Sequence, residues 1–122
     1  MSSGDVEALL DEVIDTVLVD TYGDGEQLTA WEAVLVETIA VPVEAVLLGQ
    51  SVTVTRISVT GGRPELAADC RTAQGVSGEI AVADLVFPPS SAAAWLHAAY
   101  RRFLGLDPFP ASSRPDWTWP PD

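Results

Sequence analysis

Three carboxylates lie close together in one stretch, Asp20-Thr-Tyr-Gly-Asp24-Gly-Glu26, with no basic residue near them. Ca²⁺ takes oxygen ligands from flexible loops, so carboxylates in a glycine-containing turn are the raw material of a hard-cation site. The spacing can be tested against the EF-hand. With Asp20 at position 1, Asp24 falls at position 5 and Gly25 at position 6, as that loop requires. Position 12, which must supply a bidentate carboxylate, falls on Trp31. An EF-hand is excluded, and a looser carboxylate site is not. The same residues also suit helix capping. Asp24 followed by Gln27 has the spacing of an N-cap and its partner, and Glu26 in a first turn is favoured by the helix dipole. A carboxylate has lone pairs enough for both roles.

The elements that must hold this turn are legible in the apolar spacing. Residues 5–19 place Val6, Leu9, Leu10, Val13, Ile14, Val17 and Leu18 on one helical stripe, with Glu7, Asp11, Glu12 and Asp15 opposite. That acidic face sets like charges one turn apart, which costs a few tenths of a kcal/mol per pair. A second helix is predicted over residues 25–39 through Leu28, Trp31, Leu35 and Ile39, with Glu32 on its polar side. Glu37 falls near the end of this helix, where the dipole disfavours an anion unless a cation meets it. Pro42 ends the helical pattern.

From residue 41 the period changes to two. Residues 41–48, 51–60, 65–72 and 76–82 read as four short strands with tight turns between them. The alternation slips phase between Val54 and Ile57, which predicts a β-bulge near Arg56. The expected fold class is α+β: two N-terminal helices, a small antiparallel SH3-like β-barrel or curled sheet, and a C-terminal helix. That last helix is predicted over residues 92–104, capped by Ser90 or Ser91 and ended at Gly105. Arg101 and Arg102 suit its C-terminal dipole, and a salt bridge to the acidic N-terminal region is the other reading. Residues 1–106 form the expected single domain. Residues 107–122 form a Pro-rich tail carrying Phe109, Trp117 and Trp119, either loose or packed on the domain.

The charge balance narrows the functions. Eighteen acidic residues face six arginines and no lysine, for a net charge of −12. Ten of those acids lie within residues 1–37, which hold no basic residue. Nucleic acid and anionic membranes need cationic patches, so neither is an expected partner. Cations and basic proteins are. No apolar run reaches the length of a membrane span, and a single cysteine, Cys70, fits a reducing compartment; the expected location is cytoplasmic. Neither Cys70 nor the only histidine, His97, stands in an activating motif, and there is no phosphate loop, so no enzyme is expected.

The order of features has a counterpart. An acidic amphipathic segment leads into VDTYGDGEQLTAW, residues 19–31. A helix with Glu37 leads into VPVEAVLLGQSVTVTRI, residues 41–57, and ADLVFP, residues 83–88, precedes a Trp-containing helix. Over roughly residues 10–104 this resembles the cyanobacterial-type small acidic calcium-binding proteins, a non-EF-hand family. That family has denser carboxylates before the Trp and at the end of the second helix. Here Gly23 and Gly25 interrupt the acidic run, and Glu37 stands beside Thr38 and Ile39. The resemblance implies a bacterial calcium-binding protein, buffer or sensor, with Ca²⁺ held by Asp20, Asp24, Glu26 and Glu37. Fewer charged ligands imply a weak site, on the order of 10⁻⁵–10⁻³ M. The alternative is a metal-free acidic interaction module that binds a basic protein partner.

Overall fold

The computed structural model describes residues 3–39, 41–59, 65–88 and 91–109; of residues 3–6 and of Asp24 it describes the backbone alone. Helix α1 runs Ser3–Val17 and α2 runs Asp24–Thr38. Strands β1 (Val43–Leu47), β2 (Gln50–Val59), β3 (Leu66–Thr72) and β4 (Ser77–Ala81) follow, then a 3₁₀ turn at Val82–Asp84 and helix α3, Ala92–Phe103. The strands form one antiparallel meander in the order β1-β2-β3-β4. The sheet is curled and does not close into a barrel, and the helices flank it. None of the described helices is long and apolar enough to cross a membrane.

The predicted phase slip is present. Val54 pairs with Cys70 and Arg56 with Asp69, so Thr55 is the extra residue of a bulge. Its hydroxyl donates to the Asp69 carbonyl at 3.1 Å. The bulge keeps Val52, Val54 and Ile57 all on the buried face, which an unbroken alternation could not do. The β1–β2 hairpin turns at Leu48-Gly49, one residue earlier than the expected strand limits 41–48 and 51–60 imply, and both residues have positive φ (51° and 79°). That is the signature of a two-residue primed turn.

The core is a single cluster. Leu28, Trp31, Val34 and Leu35 of α2, with Ile39 at its C-cap, meet Leu10 and Val17 of α1, the inner sheet face, and Trp95, Leu96, Ala99 and Tyr100 of α3. Trp31 stands edge-on to Tyr100 with ring centroids 5.6 Å apart, an arrangement aromatic pairs favour. Two polar contacts pin the helices to the sheet. The Tyr100 hydroxyl accepts from the buried Leu66 N–H at 2.8 Å, and the Glu32 carboxylate accepts from the Val59 N–H at 2.8 Å. Glu32 is therefore an anchor between α2 and β2 rather than a merely solvated side chain.

Helix α3 ends as its sequence suggests. The Ser91 hydroxyl caps it by accepting from the Ala94 N–H at 3.1 Å. At the other end Leu106 N–H bonds Arg101 O and Gly105 N–H bonds Arg102 O, with Gly105 at φ 81°; this is a Schellman motif. The two arginines diverge. Arg102 forms a forked ion pair with Asp11 of α1, at 2.7 and 3.2 Å. Arg101 donates to the carbonyls of Ala83 (2.6 Å) and Asp107 (2.7 Å) and lies under the Phe109 ring, 3.8 Å from its centroid. Packing thus continues past residue 106 as far as Phe109. Trp117 and Trp119 lie outside the described residues.

Candidate metal centre: the turn between the first two helices

Between α1 and α2 the chain is braced at both ends. Leu18 N–H still bonds Ile14 O, and the Leu18 carbonyl accepts from both the N–H and the hydroxyl of Thr21, at 3.1 and 2.6 Å. Asp20 sits in the left-handed region at φ 63°, which Asp tolerates because its short polar side chain bonds locally. Gly23 follows at φ 96°, ψ 166° and occupies the N-cap position of α2 with no side-chain cap bond. The sequence expectation placed Asp24 at the cap. A backbone conformation open to glycine lets the helix begin one residue earlier, so Asp24 is the first helical residue. Glu26, at the third helical position, reaches back and accepts from the Tyr22 N–H at 3.0 Å. That is the returning half of a capping box, displaced by one residue.

Asp20 and Glu26 are both exposed, and neither has an ion-pair partner among the described residues. The Tyr22–Glu26 bond brings the Glu26 carboxylate back to within two residues of Asp20 in the chain. Glu37 is elsewhere. It lies eleven residues after Glu26 on one continuous helix, and a rise of 1.5 Å per residue separates them by roughly 16 Å. Ligands of one Ca²⁺ lie within 2.6 Å of it, so the structure does not bring Glu37 to the turn. Among the described residues no group of three or more His, Cys, Asp or Glu side chains is assembled to hold a metal. The donors suit a hard cation in kind. Their number is below the six to eight oxygens that Ca²⁺ takes, so water would complete the shell.

The surroundings contain one feature that the carboxylate spacing does not reveal. Tyr22 is 78% exposed and Val19 61% exposed beside the acids of the turn. An aromatic inside an acidic run is the only sequence signal of it. On α1, Glu7, Asp11, Glu12 and Asp15 are all exposed, and Arg102 neutralises Asp11, holding its carboxyl below the usual range. The remaining titratable candidates are structural. Cys70 is buried, and burial pushes its thiol up. His97 is buried, and its Nε2 meets the Val82 carbonyl at 2.7 Å.

No family model matches this sequence, and no curated protein matches it. Among solved structures the fold is similar to that in the crystal structure of Anabaena CcbP. The TM-score is 0.64 over 88% of this chain and 96% of that one, at 12% sequence identity, a likeness of fold.

Proposed function

We propose that this protein is a low-affinity, non-EF-hand calcium-binding protein whose ion is held at the α1–α2 turn by Asp20, Asp24 and Glu26. The observation that carries the reading is the turn itself. Two carboxylates, Asp20 on the braced loop and Glu26 in the first turn of α2, are exposed and have no ion-pair partner among the described residues. A divalent ion reverses the repulsion among them. The shared fold with CcbP, a calcium-binding protein, supports the same reading. Glu37 lies outside this ion's shell, and binding rather than catalysis is the role. A basic protein partner is the second reading. It is favoured by the exposed Tyr22 and Val19 set among acids, since an aromatic face beside carboxylates suits a lysine or arginine side chain.

The test is thermal unfolding with millimolar Ca²⁺ against NaCl of matched ionic strength, alongside calorimetric titration. A ligand at a hundred times its Kd stabilises the folded state by about 2.7 kcal/mol. Ca²⁺ should raise the melting temperature more than NaCl does. The double variant Asp20→Asn/Glu26→Gln should lose that excess. Equal effects of the two salts on the wild type would leave only screening of an acidic surface, and the basic-partner reading would replace the first.

A further inference from the structure

At the open edge of β1 a groove of about 220 Å³ is lined by Glu44, Val46, Ser51, Val86, Phe87 and Pro88. Its origin is a pairing that stops. Val46 and Val86 exchange both backbone hydrogen bonds, each 2.8 Å long. Glu44 has the same phase as Val46 relative to β2, so its backbone groups also face this outer edge. One step along the bridge Glu44 comes opposite Pro88, which has no N–H to donate. The Pro88 carbonyl is already engaged by the N–H and hydroxyl of Ser91, at 2.9 and 2.6 Å. The ladder therefore ends, leaving an apolar cleft beside a strand edge that can accept a further extended segment.

Three observations identify the segment. The described chain stops close by: Phe109 stacks on His97 at 5.7 Å, and the His97 ring meets Phe87, a wall of the groove, at 5.4 Å. The chain beyond Phe109 thus begins two ring contacts from the groove. The reach is sufficient, because the seven residues 110–116 can extend by about 23 Å before Trp117. The chemistry fits as well. Trp117 and Trp119 are two residues apart, so an extended segment presents both indoles on one face. Pro110, Pro115, Pro120 and Pro121 favour extended backbone, and Arg114 complements the exposed Glu44 at the rim. We propose that residues 111–122 of this chain dock in the groove, one indole seated against Phe87 and Pro88 and the backbone extending the sheet at Glu44.

The proposal is tested on the full chain by paramagnetic broadening. A nitroxide is placed at Thr118→Cys in a Cys70→Ala background, on the face away from the indoles. The amides of Glu44, Val46 and Ser51 should lose most of their intensity, while those of Ser77–Ile80 on the far strand keep theirs. Trp117→Ala/Trp119→Ala with the same label should restore the lost signals, with the rest of the amide spectrum unchanged as the check that the domain is still folded. Equal broadening of the two strands would overturn the docking. Broadening seen only on unlabelled, isotope-enriched protein mixed with spin-labelled protein would also overturn it, placing the tail of a second copy in the groove instead.

Discussion

Acid should weaken this protein through His97 in a defined pH window. The ring is 2% exposed, edge-on to Phe87, stacked on Phe109, and bonded through Nε2 to the Val82 carbonyl. Burial is the main cause that keeps the imidazole neutral. The Val82 bond opposes it, Arg101 reinforces it, and Asp84 opposes it; the pKa falls from 6.5 to about 4. Because the folded value lies below the unfolded one, the unfolded chain takes up the proton first as pH falls. The stabilisation is complete above the unfolded value and is lost between pH 6.5 and about 4. At about pH 5 the unfolded histidine is mostly charged and the folded one mostly neutral, a difference of about 2 kcal/mol relative to pH 7.5. Carboxylates titrate over the same range, so the site must be isolated. His97→Gln retains an N–H for Val82 and cannot ionise. Urea unfolding of both proteins at the two pH values supplies the comparison, and the wild type should lose about 2 kcal/mol more than the variant. Equal losses would refute a buried neutral imidazole.

Two further substitutions test the frame. Tyr100→Phe removes the acceptor of the buried Leu66 N–H and should cost about 1–3 kcal/mol, visible as a lower urea midpoint and faster hydrogen exchange at the start of β3. Leu48 is 98% exposed at φ 51°, so its left-handed strain is offset by no burial. Leu48→Asn should therefore raise stability by about 1 kcal/mol, and an unchanged urea midpoint would mean that the turn stores no strain.

The acidic turn was legible because Asp20, Asp24 and Glu26 are neighbours in the chain, and local spacing is what a sequence states directly. Glu37 was not placeable in the same way. It belongs to the same acidic segment, yet a continuous helix carries it roughly 16 Å away along the axis. The helix cap shifted by one residue because Gly23 can adopt a conformation that Asp24 is not required to share. The phase slip at Thr55 was visible because one extra residue changes which side chains are apolar.

By itself the sequence determined the element order, the change from helical to strand period at Pro42, and the acidic net charge. Those properties depend on residues a few positions apart. Only the tertiary structure decided that Glu32 would hold the Val59 N–H, that Tyr100 would hold Leu66, and that of two adjacent arginines one would pair with Asp11 while the other turned to Ala83 and Phe109. These partners lie up to 91 residues apart. A buried N–H must find an acceptor, and an arginine gains from a carboxylate or carbonyl within reach, but nothing local says which. The choice is made when the helices close over the sheet and remove the alternatives that water supplies.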